Sequence, residues 1–343
     1  MQNKKLSIIT VVTALTITAV LTAHAEDDLV IRRQGSMEAG GRVEVCNTVD
    51  SANNSTRHFG GQTVVDSVYA TYQYPANQRY AYPILFNHGG GHTGRFYDTT
   101  PDGREGWLTL FLRQGFATYG VDRVNTGRSG IDSCQLIAVS TGKAPLSTMP
   151  SMNRYSFESA WKAFRWGPEY GTAYPNTQFP IEAVDNYYPQ LVNTYRDAEQ
   201  TPKSVAAYTA LIDKIGTPVV LQSWSSSGLL IYLTAAARPD MVKGILAVET
   251  STTAFENIPP DAMKKLVNVP IIIVIGDRAQ DRVVASRAFQ KKMAAIGGDV
   301  TIDVLPEAGI YGNSHTLPLE KNNRQIMFRM IAWMEGHIYN KPN

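Results

Sequence analysis

Apolar residues in this chain fall into short continuous runs that alternate with stretches of helical period. Residues 67–74 and 82–87 are rich in β-branched and aromatic side chains, and 115–121 forms a third apolar run. Between the last two, residues 107–114 place Leu108, Leu110, Phe111 and Leu112 at helical spacing, and Gly115 supplies a stop. A second block repeats the alternation. It predicts strands at 218–221, 243–248, 270–275 and 299–305, with helices at about 226–237, 282–296 and 321–339. Strands alternating with helices predict an α/β fold: one mostly parallel sheet with helices on both faces.

The pattern changes between the two blocks, at about 134–202. This segment holds Tyr155, Trp161, Phe164, Trp166, Tyr187 and other rings at a density found nowhere else in the chain. A structureless loop of that length is uncommon, so a helical insertion lying over the sheet is expected. Trp161 and Trp166 in the insertion, with Trp224, are the rings expected to wall a substrate pocket, while most of the others pack the insertion onto the sheet.

Composition narrows the class. With 343 residues, 43% hydrophobic and 18% charged, the chain reads as a folded globular protein. Its 32 Lys and Arg against 30 Asp and Glu form no block of like charge, which argues against nucleic acid as a partner. Lys4 and Lys5, the apolar run 6–21 and Ala23-His24-Ala25 match a secretory signal peptide over 1–25. A mature domain of 26–343, periplasmic or secreted and without a membrane span, is the expectation. Cys46 and Cys134 form no CxxC motif and are too few for a structural zinc site. A single disulfide and two buried thiols both stay open.

The candidate chemistry starts at Ser223-Trp224-Ser225-Ser226-Ser227-Gly228. A buried strand enters a small-x-Ser-x-small turn and leaves as an apolar helix, the context of a nucleophile elbow. Ser223 and Ser227 occupy the positions that must be small, so Ser225 is the nucleophile. Taking Ser226 instead would put Trp224 at a small position. The Ser226 N–H then stands where an oxyanion would form. A second donor is expected from Gly90 or Gly91 in Asn87-His88-Gly89-Gly90-Gly91-His92, which follows a strand. Downstream of Ser225 only His315 and His337 can serve as base. His315 lies in a glycine-punctuated loop after a strand, where a catalytic histidine should project, whereas His337 is expected to face solvent. Glu249 and Asp277 both follow parallel strands, and spacing leaves the choice of acid between them open.

The segments His88-Gly89-Gly90-Gly91-His92-Thr93-Gly94, Thr100-Pro101-Asp102-Gly103-Arg104-Glu105-Gly106-Trp107, Gly127-Arg128-Ser129, Gly142-Lys143-Ala144-Pro145, Ser225-Ser226-Ser227-Gly228 and Gly312-Asn313-Ser314-His315 resemble a group of exported bacterial α/β-hydrolase esterases with a Ser-Glu-His triad. The resemblance runs from about residue 82 to the C-terminus. It implies an α/β-hydrolase fold and Glu249 as the acid, with Asp277 in reserve. Two positions depart from the family: Gly90-Gly91 stand where its members carry adjacent cysteines, and Trp224 stands where a histidine usually precedes the nucleophile.

Together these readings describe a serine carboxylesterase acting on small apolar or aromatic esters. It needs no cofactor or metal, its partner is a small-molecule ester, and a homo-oligomer is left open. A lactonase or amidase with the same triad, or a binding protein on a hydrolase scaffold, are the alternatives.

Overall fold

The computed structural model describes residues 28–46, 61–196 and 199–339. The expected signal peptide, 1–25, lies outside them. The strands are β1 (Ile31–Cys46), β2 (Gly61–Pro75), β3 (Ile84–Asn87), β4 (Thr118–Asp122), β5 (Ser151–Asn153), β6 (Thr194–Arg196), β7 (Val219–Trp224), β8 (Val242–Val248), β9 (Ile271–Ile275) and β10 (Val300–Val304). Eight form one sheet in the order β1-β2-β4-β3-β7-β8-β9-β10. β1, β2 and β4 pair antiparallel, and every pairing from β4 onward is parallel. The α/β-hydrolase architecture expected from the sequence is the one observed.

Central strands β3, β4, β7 and β9 are buried at every residue. This is why they read as continuous apolar runs rather than as alternation, since helices cover both faces of a parallel sheet. One face carries helices Gln200–Ile215, Gly228–Ala237 and Gln280–Ala294, which bury Tyr208, Leu211, Ile231 and Phe289. The other carries Trp107–Arg113 and Asn323–Met334, with Trp107, Phe111, Ile326 and Met330 packed beneath them.

Three features differ from the sequence reading. The hairpin β1–β2 supplies two antiparallel strands, of which β1 gave no signal because most of its residues are exposed and polar. Helix Gln200–Ile215 was not predicted, although Val205, Tyr208, Leu211, Ile212 and Ile215 keep helical spacing and Gly216 closes it in a left-handed cap. The insertion is only partly helical. It holds the short helices Ser133–Ser140 and Phe157–Ala163, several single turns, and a β5–β6 ribbon. Gly167, Pro168, Gly171, Pro175, Pro180 and Pro189 explain this, because they interrupt any longer helix.

The two cysteines meet. Cys46 at the end of β1 and Cys134 in helix Ser133–Ser140 form a disulfide with Cα atoms 5.2 Å apart, tying the hairpin to the start of the insertion. Among the described residues no helix is long and apolar enough to cross a membrane.

Candidate active site

Strand β7 ends at Trp224, and the chain turns at Ser225–Ser227 straight into helix Gly228–Ala237. Ser225 takes φ +58°, a left-handed conformation that costs a non-glycine residue about 1 kcal/mol and persists only where packing enforces it. Small neighbours make the turn possible. Ser223 and Ser227 are fully buried, and a Cβ on Gly228 would come within 2.5 Å of the Thr250 methyl. The Ser227 hydroxyl accepts the Trp224 N–H at 3.0 Å, closing the turn.

Three predicted residues converge here. His315 Nε2 lies 2.8 Å from Ser225 Oγ, and His315 Nδ1 lies 2.9 Å from Glu249 Oε2. The acceptor-only carboxylate requires Nδ1 to carry the proton, which leaves Nε2 free to accept from the serine hydroxyl. Glu249 directly follows β8, is fully buried and takes φ +51°. Its Oε1 accepts the Gly276 N–H at 2.7 Å; its Oε2 also faces Arg165 Nη2 at 2.7 Å and Arg282 Nε at 3.4 Å. Burial by itself would raise this carboxyl, but Arg165, the hydrogen bond to His315 and Arg282 together hold it well below the usual carboxylate range. Desolvation is the largest influence on His315, with Arg282 and Arg165 acting in the same direction, and its pKa falls to about 3 against the pull of Glu249.

Asp277, the reserve acid, has a different partner. Its Oδ2 accepts the Asn313 N–H at 2.8 Å while its own N–H donates to the Asn313 carbonyl, so it braces the loop that carries His315. From the other side Glu320 accepts the Ser314 N–H and an Asn313 side-chain proton. Burial pushes Glu320 up to about 7 despite these donors. The His315 N–H donates to the carbonyl of Phe164, and the His315 carbonyl accepts Trp224 Nε1–H at 2.6 Å. His337 sits far along the chain on a terminal π-turn, half-buried beside Asp299 at 3.0 Å.

The glycine loop after β3 is clamped by histidines the sequence reading left without a role. The Arg123 N–H donates to His88 Nε2, so His88 Nδ1–H donates to the Gly89 carbonyl at 2.7 Å. His92 repeats the device: its Nδ1 donates to the Gly90 carbonyl at 2.8 Å, and the Tyr187 hydroxyl donates to its Nε2 at 2.5 Å. Both imidazoles are buried and kept neutral, with pKa values lowered to about 3 and about 4, mainly by desolvation. The Gly91 N–H donates to Thr194 Oγ1 at 2.9 Å. That takes Gly91 out of the predicted oxyanion pair and leaves Gly90. Gly89 is required for another reason, since a Cβ there would meet the Trp224 ring at 2.7 Å and Ser225 Cβ at 2.9 Å.

The three tryptophans do not wall a pocket. Trp224 is buried, with its ring stacked on Phe96. Trp166 stacks on Phe179 and donates to Thr316, and Trp161 packs edge-on against Trp166. These rings fill the space between insertion and sheet, which corrects their assignment to substrate binding. The cleft beside Ser226 and Gly90 has a volume of about 310 Å³ and a mixed lining, with Thr126, Thr194, Gln200 and Asn257 beside Tyr195 and Leu229. Among the described residues no cluster of His, Cys, Asp and Glu could hold a metal ion.

No family model matches the chain. A solved structure described as a novel bacterial esterase superposes with a TM-score of 0.83 at 34% sequence identity, over 91% of this chain and 98% of that one. The chain belongs to the esterase and lipase family of α/β-hydrolases. A second member, "Probable secreted lipase phiG" from a fungal species (strain ATCC 74256), is 26% identical over 83% of this chain and 91% of its own length.

Proposed function

We propose that the protein is an exported serine carboxylesterase, with residues 26–343 working as one hydrolase domain. The observation that carries this reading is the unbroken hydrogen-bond chain from Ser225 through His315 to Glu249. It is built on a left-handed nucleophile turn. In this mechanism Ser225 Oγ attacks the ester carbonyl as its proton passes to His315 Nε2, and the imidazolium is held by Glu249. The N–H groups of Gly90 and Ser226 stabilise the tetrahedral oxyanion. His315 then returns the proton to the leaving alkoxide, and the same base activates the water that hydrolyses the acyl-enzyme.

The cleft favours compact esters. Val124, Leu229, Leu230 and Ala254 give it an apolar side for a short chain, and its volume sits at the low end of small-molecule sites. The expected preference for aromatic groups draws no support from the insertion's tryptophans, which are occupied in packing; Tyr195 is the insertion ring that lines the cleft. Export is supported by the signal-peptide pattern and by the secreted relative.

A fluorophosphonate probe tests the reading. Wild type and Ser226→Ala should be labelled, while Ser225→Ala should be unlabelled and lose on the order of 10⁴-fold or more in turnover of p-nitrophenyl acetate. Labelling of folded Ser225→Ala would sink the assignment.

A further inference from the structure

The insertion reaches into the catalytic hydrogen-bond chain through two consecutive residues. The Phe164 carbonyl accepts the backbone N–H of His315 at 3.0 Å. Arg165, the next residue, places Nη2 2.7 Å from Glu249 Oε2, the same oxygen that His315 Nδ1 uses, and Nε 3.1 Å from the Asp277 carbonyl. Arg165 takes φ +59°, and it shares this strained region with Ser225 and Glu249. Three residues from three separate parts of the chain are thus held in an unfavourable conformation along one hydrogen-bond chain, Ser225–His315–Glu249–Arg165, a pattern that marks functional constraint rather than chance.

We propose that Arg165 is a positioning residue of the catalytic chain: from the insertion, its fixed cation shares the Glu249 oxygen with His315 and keeps the imidazole a neutral base under acidic conditions. A guanidinium stays charged at every working pH. It therefore competes permanently with the imidazolium for one carboxylate and disfavours the protonated ring by direct repulsion. The lowered pKa of His315, to which Arg165 contributes after desolvation and Arg282, runs the same way.

Arg282 lowers the imidazole in the same direction and by more than Arg165, but it does so from the core of the fold. Arg282, on helix Gln280–Ala294, spends Nη1 on the carbonyls of Glu249 and Thr250 and stands farther from the carboxylate, at 3.4 Å. Asp277 faces the Asn313 amide and Glu320 the amides of Asn313 and Ser314, both behind the loop. Phe164 and Trp224 present uncharged rings to the imidazole. Arg165 is the cation that the insertion supplies.

The inference rests on the serine-esterase reading, and its test separates the two. The rate of fluorophosphonate inactivation and kcat/KM for p-nitrophenyl acetate are measured from pH 3 to 9 on the full mature chain, with brief exposure to each pH, for wild type, Arg165→Gln and Arg165→Lys. Wild type should be nearly flat down to about pH 5. Arg165→Gln should move the acid limb to higher pH by about one unit, with a plateau above pH 8 within several-fold of wild type, and Arg165→Lys should restore most of the low limb. If the glutamine variant does not fold, Arg165→Ala supplemented with ethylguanidinium replaces it: a lower acid limb on adding the cation supports the role, and no change overturns it. An acid limb that Gln leaves in place, or that Lys shifts as far as Gln, also overturns it. Failure of the wild type to label at any pH would instead overturn the serine mechanism itself.

Discussion

At the scale of single residues, the acid is the position where chemistry and stability are hardest to separate. Glu249 is a fully buried carboxylate that accepts from one backbone amide, one imidazole and the Arg165 guanidinium, with the Arg282 guanidinium paired to it at 3.4 Å. Glu249→Gln removes its charge and leaves Arg165 and Arg282 without the counter-ion that justifies their burial. It also lets the amide present N–H to His315 Nδ1, which favours the wrong tautomer. Turnover should fall on the order of 10³–10⁴-fold, with a measurable loss of stability. Asp277→Asn keeps an oxygen to accept the Asn313 N–H, so its activity should remain within about tenfold of wild type. Kinetics and urea unfolding on both variants check this, and the reverse ranking would return the acid to Asp277. Ser225 and His315 were legible in the sequence because an elbow motif and a two-histidine choice are local signals. Arg165 was not, since it meets Glu249 across 84 positions and nothing in Phe164-Arg165-Trp166 distinguishes it from a surface cation.

At the scale of elements, legibility followed burial. Strands sealed on both faces, such as β7 and β9, announce themselves as apolar runs, while β1, an exposed edge with little apolar periodicity, does not. The insertion was visible as an aromatic excess, but the role of its rings was decided by neighbours remote in sequence, such as Thr316 for Trp166. The disulfide belongs to this scale too, because two cysteines 88 residues apart carry no sequence sign that they meet. Closing a loop of that length removes enough freedom from the unfolded chain to be worth about 4 kcal/mol. A Cys46→Ser, Cys134→Ser double variant should therefore melt on the order of 5–10 °C lower. Its turnover at room temperature should be unchanged, since neither cysteine belongs to the Ser225–His315–Glu249 chain. Calorimetry and an ester assay on the same preparation test both halves. An equal loss of activity below the melting transition would show that the hairpin positions the site.

At the scale of the whole molecule, the sheet gathers the catalytic groups at the carboxyl ends of β3, β7 and β8 and after β9 and β10, and the insertion closes over them. Enclosure dictates how the fold responds to acid. His88, His92 and His315 are buried and neutral, with pKa values lowered from 6.5 to about 3, 4 and 3. Below pH 6.5 the unfolded chain protonates all three while the folded chain does not, so stability present above 6.5 is lost as pH falls toward those folded values. Glu320, raised by burial to about 7, has the opposite sign: between about 4.5 and 7 the folded state holds a proton that the unfolded state lacks. Asp98, raised mainly by burial, acts in the same direction as Glu320. The three histidines outnumber these two carboxyls, and unfolding should take up a net one to two protons across pH 6 to 4.5, lowering stability by on the order of 1–2 kcal/mol per pH unit. Urea denaturation at half-unit steps measures that slope directly. His92→Gln should reduce it by about one proton, because a glutamine can keep the bond to the Gly90 carbonyl without titrating. A slope of zero, or one that rises toward acid, would mean that these imidazoles are charged in the folded state, and the neutral clamp on the glycine loop would have to be abandoned.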